Sequence, residues 1–169
     1  MILVVGHKPE SPGASSPSGM TEFDFNDQLA QAIIDQLTDI KLVYRHNYRT
    51  LPDIINRKRP DFIISMHCNA FNRKVKGSEV LYYHKSGKGK IMAQILQDEF
   101  VAIGQKDRGI KPKSSEDRGG YLLKNTHAPC VICEPFFIDS ELDDIYTKYS
   151  QLVDAYVQGI RKIRNNSIV

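Results

Sequence analysis

The chain has only three cysteines, Cys68, Cys130 and Cys133, and an odd number cannot complete a disulfide framework. A reduced protein held by its core is therefore expected, and 169 residues suffice to bury about two thirds of the surface that the unfolded chain exposes. No stretch approaches the roughly 20 consecutive apolar residues that span a bilayer, which excludes stable membrane insertion by a helix. Met1 runs directly into Ile2–Val5 without a basic leader, a long apolar region or a small-residue cleavage site, so no export signal is expected. The net charge is only +3, and no basic stripe interleaves with aromatics, so nucleic acid is not an expected partner. Basic groups at Arg57–Arg59 and around Arg161–Arg164 read as solvated helix faces. There is no internal repeat and no linker, and a single domain over residues 1–169, expected to be monomeric, is the result.

What is present is a succession of short apolar runs. Ile2–Val5, Lys41–His46, Asp61–Met66, Ser78–Tyr83, Tyr121–Leu123 and Cys130–Cys133 read as six strands, most of them rich in β-branched or aromatic residues. Helical spacing of apolar residues marks a helix starting near Glu22 with Thr21 as its cap. Further helices are expected over Leu51–Arg57, beyond Gly87 with Ile91, Met92, Ile95, Leu96 and Phe100 on one side, and from Glu141 to Ile163. The stretch after the third of these is read as a glycine- and lysine-rich loop. Such alternation predicts an α/β domain, with a mostly parallel or mixed twisted sheet of about six strands and helices on both faces. Cys130 and Cys133, three apart in an apolar strand, are expected to face opposite sides and to serve structure. From His7 to Met20 the composition is Pro, Gly and Ser, a long loop of the kind that usually carries function.

Active sites of α/β sheets gather beyond the carboxyl ends of strands. Val5 leads to Gly6 and His7, Met66 to His67, and Cys133 to Glu134, while Glu22 opens the first helix at the far end of the long loop. Two imidazoles and a carboxylate form a His₂Glu zinc set with an open fourth position. The assignment is therefore His7, Glu22 and His67 as ligands of one zinc ion and Glu134 as the proton-transfer residue. Spacing alone leaves the two glutamates exchangeable. His84 and His127 compete for the ligand role, His127 is a candidate substrate contact, and Asn69 a candidate substrate contact or support for His67. His46 is expected to be structural.

These residues resemble the catalytic domain of the zinc-dependent N-acetylmuramoyl-L-alanine amidases, the type 3 family of autolysins and phage endolysins. Gly6, His7 and the loop to Glu22 resemble the family's first two ligands, and Asp61–Ala70 its third-ligand strand. Gly77–Tyr83 and Arg108–Lys111 resemble the strand and loop that follow, and Pro129–Glu134 with Phe137 and Ile138 the segment carrying the catalytic glutamate. The resemblance implies that Glu22 binds zinc and Glu134 is catalytic. It further implies hydrolysis of the amide between N-acetylmuramic acid and L-alanine in peptidoglycan. Lys8 and Phe136 stand where glycine is common, and the segment between Arg45 and Asp61 is short. Without an export signal or a wall-binding domain, the expectation is a phage or prophage lysin, made in the cytoplasm and acting on the wall after release, or a secreted protein if this is a processed form. The competing readings are a zinc peptidase acting on other peptides and a noncatalytic wall-binding module.

Overall fold

In a computed structural model, residues 1–142 and 148–166 are described. Six strands, β1 (Ile2–Val5), β2 (Lys41–Tyr44), β3 (Ile63–Met66), β4 (Ser78–Tyr83), β5 (Asp107–Lys113) and β6 (Cys130–Glu134), form one sheet in the order β2-β1-β3-β6-β4-β5. The first four in that order are parallel, β4 runs antiparallel to β6, and β5 is parallel to β4. The expected mixed α/β sheet is the one found.

Helices α1 (Glu22–Ile34), α3 (Gly87–Ala102) and α5 (Tyr149–Asn165) cover one face, and α2 (Leu51–Arg57) and α4 (Gly120–Asn125) the other. Alternation along each strand divides the core between them. Leu3, Val5, Ile64, Met66, Val131 and Cys133 meet the three long helices, whereas Ile2, Val4, Ile63, Cys130 and Ile132 meet the two short ones. Cys130 and Cys133 thus do face opposite sides, and burial pushes both thiols up, that of Cys130 to about 12 and that of Cys133 further. On the larger face Phe100 packs edge-on to Tyr156 and Phe25 edge-on to Phe136. Each such fully buried apolar side chain stabilises the fold by about 1.5–3 kcal/mol.

Two elements differ from the sequence reading. Tyr121–Leu123 belongs to helix α4, because the adjacent Leu122 and Leu123 are both buried, which a strand with alternating faces would not arrange. The sixth strand is instead β5, inside the stretch read as a loop. Its Pro112 and its charges are tolerated because, among the described residues, β5 is the edge strand of the sheet. Within α3, Ile91 is 50% exposed and lies off the buried face. The last helix is seen from Tyr149; Ile145, included in the expected helix, lies outside the described residues.

Candidate metal centre and active site

Register places the chemistry. Val5 pairs with Met66 and Met66 with Cys133, so Gly6, His67 and Glu134 emerge side by side from three adjacent parallel strands. The backbone bonds continue across this edge, with Gly6 N donating to Met66 O at 3.0 Å and His67 N to Cys133 O at 3.0 Å. Beyond Gly6 the chain turns sharply, and His7 takes a φ of 64°, a left-handed conformation uncommon for a side-chain-bearing residue. The long loop then folds back onto the start of α1, where Glu22 N donates to Ala14 O at 2.8 Å and Phe23 N to Pro12 O at 2.9 Å. Thr21 caps the helix by accepting from Asp24 N at 3.1 Å. His7 and Glu22, 15 positions apart, are joined by this return.

His7, Glu22 and His67 converge so that one ligand atom of each lies within 4.8 Å of the others. Glu22 Oε1 is 2.9 Å from His67 Nδ1 and accepts from Cys68 N at 3.0 Å, while Oε2 is 3.2 Å from His7 Nε2 and accepts from Ala14 N at 3.3 Å. Burial works to raise the pKa of Glu22, but the hydrogen bond from His67 and the nearness of His7 outweigh it and hold the carboxyl well below the usual carboxylate range. The carboxylate is therefore charged although only 1% exposed. Burial lowers the pKa of His67 against the pull of Glu22, which favours the neutral imidazole that ligates metals.

These residues fit a metal ion. His7 Nε2 is buried without a well-formed hydrogen bond although a carboxylate oxygen is close, a deficit that a coordinated cation removes. The surroundings leave no slack: a Cβ on Gly6 would lie 2.6 Å from His67 Nε2, and one on Gly13 would lie 2.5 Å from Glu22 Oε2 and 2.9 Å from His7 Cδ2. Two imidazoles with one carboxylate are the donor set of an open zinc site.

Glu134 closes β6 with 7% exposure. It shares a pocket of about 310 Å³ with His7 and His67. Burial first, and then the charge of Glu79, push its pKa up to about 8. The pocket floor is apolar, from Leu81, Leu122 and Ile132, and its rim carries Arg45, Arg118, Tyr48 and Tyr121. Tyr48 and Tyr121 stack with centroids 5.7 Å apart, and Tyr121 Oη donates to Arg49 O at 3.0 Å. Sequence reasoning missed these four rim residues, which come from two loops and a helix that local spacing cannot relate. Glu79 was also missed, although its cross-strand pairing with Glu134 follows once β4 is set antiparallel to β6.

The remaining candidates are placed plainly. Asn69 lies beside the site, but its side chain is engaged with protein, donating to Glu79 Oε1 at 3.1 Å and accepting from Ala70 N at 2.9 Å. His127 is not brought to the cluster. It precedes β6, which runs parallel to β3, so it lies at the opposite sheet edge from His67, lining a separate hollow with Asn56 and Arg59. It therefore lies outside the pocket that Glu134 shares with His7 and His67. His84 follows β4, whose antiparallel course likewise carries it away from the cluster.

The family profile described as N-acetylmuramoyl-L-alanine amidase matches residues 1–163. The chain belongs to this type 3 amidase family. An endolysin of Bacillus phage SPP1 is 24% identical over 183 aligned positions, covering 96% of this chain and 65% of the phage protein. An uncharacterized cell wall amidase of Bacillus anthracis is 28% identical over 100 residues, covering 54% of this chain and 18% of that one. The chain thus spans less than two thirds of either relative. Among solved structures, an N-acetylmuramoyl-L-alanine amidase of Clostridium difficile 630 superposes with a TM-score of 0.83 at 22% identity, covering 98% of this chain and 96% of the other. That likeness extends the family's fold to the whole described sheet. Among the described residues no helix is long and apolar enough to cross a membrane.

Proposed function

We propose that the protein hydrolyses the amide between the lactyl carbonyl of N-acetylmuramic acid and L-alanine in peptidoglycan. His7, Glu22 and His67 hold one zinc ion, and Glu134 moves the proton. The observation that carries this reading is the convergence of the three ligand atoms within 4.8 Å, with His7 and His67 lining the same pocket as Glu134.

When bound, zinc supplies a Lewis acid that polarises the amide carbonyl and makes water nucleophilic near neutral pH. Glu134 accepts the proton of the attacking water and returns it to the leaving nitrogen, so that the departing group is a neutral amine. Burial and the charge of Glu79 raise the pKa of Glu134, which favours the protonated carboxyl that donates to the leaving nitrogen. The apolar floor of Leu81, Leu122 and Ile132 accommodates a small aliphatic side chain, and the Arg and Tyr rim suits an anionic, hydrogen-bonding wall fragment. Release of the protein onto the wall, as for a lysin, accords with this substrate.

Incubating the zinc-loaded protein with purified peptidoglycan should release stem peptides beginning with L-alanine and leave the glycan chains intact, with chelator abolishing release. Peptides cut internally would refute the substrate assignment, and wall binding without new amino termini would refute catalysis.

A further inference from the structure

We propose that Glu79 is a positioning residue for this reaction, orienting the Glu134 carboxyl through a carboxyl–carboxylate hydrogen bond that Arg108 and Asn69 hold in place. The inference rests on the assignment of Glu134 as the proton-transfer residue.

Glu79 and Glu134 are direct register partners across the antiparallel β4–β6 pair, so both side chains leave the same face of the sheet. Two carboxyl groups so placed repel when both are charged and can hydrogen-bond when one carries a proton, and the nearness of Glu79 raises the pKa of Glu134. The surroundings decide which of them is the fixed, charged acceptor. Arg108 Nε donates to Glu79 Oε2 at 2.9 Å, and Asn69 Nδ2 donates to Oε1 at 3.1 Å, so both Glu79 oxygens are engaged by donors on other elements. Arg108 is itself held, with its guanidinium 5.0 Å from the centroid of Phe137.

The three anchors come from three directions. Arg108 lies on edge strand β5, Asn69 two residues beyond His67, and Phe137 three residues beyond Glu134. Asn69 and Phe137 also pair as an isolated bridge, and Asn69 N donates to Phe136 O at 2.9 Å. Glu79 therefore ties the strand carrying a metal ligand to the strand carrying the proton-transfer carboxyl. It does so from outside the pocket, belonging neither to the ligand cluster nor to the pocket lining.

A group that acts by orientation affects turnover more than substrate capture. On a soluble muramoyl-peptide, Glu79→Ala should lower kcat by about 10- to 100-fold with KM within about twofold of wild type. It should still bind one zinc per chain and unfold cooperatively. Glu79→Gln keeps an acceptor oxygen facing Glu134 and should recover most of kcat. Arg108→Gln, which leaves Glu79 in place but unclamped, should fall between the two. The inference is overturned if Glu79→Ala keeps wild-type kcat, or if its loss appears in KM or zinc content while Glu79→Gln restores nothing. Should Glu79→Ala fail to fold, wild-type kcat in Arg108→Gln and an unrecovered Glu79→Gln would overturn it equally. An inactive wild type would instead refute the amidase reading itself, which separates the two failures.

Discussion

Gly6 and His67 are in contact across the carboxyl ends of β1 and β3, and a Cβ on Gly6 would stand 2.6 Å from both His67 Nε2 and the Met66 carbonyl oxygen. The imidazole could be displaced by such a methyl group, but the carbonyl could not, since Met66 O already accepts from Gly6 N in the sheet ladder. Gly6→Ala should therefore tilt His67 away from Glu22 and strain the β1–β3 edge. The expected result is a 10- to 100-fold weaker zinc affinity, roughly as for loss of a supporting contact to a ligand. A stability loss of about 1–3 kcal/mol from overpacking should accompany it. Competition with a chromophoric chelator and denaturant unfolding would measure the two, and unchanged zinc affinity would show that the His67 ring has room to spare.

Glu22 is the hub of the ligand cluster, since each of its oxygens meets one histidine and one backbone N–H. Replacement by glutamine preserves shape but converts one acceptor into a donor, facing an N–H that then has no partner. The buried donor left behind costs about 1–3 kcal/mol, and the metal loses its only anionic ligand. Glu22→Gln should consequently emerge from dialysis against buffered zinc with well under one ion per chain and with a lower unfolding midpoint. Full zinc occupancy in this variant would remove Glu22 from the ligand set.

Glu134 is not a member of the converging cluster yet lines the same pocket as His7 and His67. Glu134→Gln should accordingly keep one zinc per chain and lose about 10²- to 10⁴-fold in turnover, the usual worth of a positioned acid–base group. Elemental analysis and release of new amino termini from peptidoglycan, taken on the same preparation, provide the check. Activity near wild type in a metal-replete sample would sink the assigned role.

The cluster of His7, Glu22 and His67 was legible in the sequence because each of its members sits at a boundary that local chemistry announces. His67 follows a β-branched run, His7 follows another at the start of a Pro- and Gly-rich loop, and Glu22 follows a capping threonine. What brings them together, the return of the loop onto α1 through Ala14 and Pro12, is a backbone arrangement with no local signature. The same limit explains β5. Asp107–Lys113 has the composition of a loop, and only its place at the rim of a sheet built by residues far away makes a strand of it. His127 stands close in sequence to Glu134, but the length of β6 lies between them, so nearness along the chain is distance in space.

The two buried glutamates impose opposite pH dependences on the chelator-treated protein. Glu22 has its pKa lowered on folding, so its contribution to stability is present above its ordinary value of 4.5 and is lost as pH falls through the folded value. Glu134 has its pKa raised from 4.5 to about 8, so its contribution is full below 4.5, declines above it and is lost as pH rises through about 8. Between those limits the unfolded chain has released the Glu134 proton while the folded chain still binds it, and stability falls with increasing pH. Urea unfolding of chelated wild type and of Glu134→Gln across this window separates the terms, because glutamine cannot titrate. The wild type should lose stability relative to the variant as pH rises from 4.5 to about 8, and the difference should level off beyond it. Parallel curves would mean that Glu134 is already ionised throughout in the folded protein, and that burial beside Glu79 does not hold its proton.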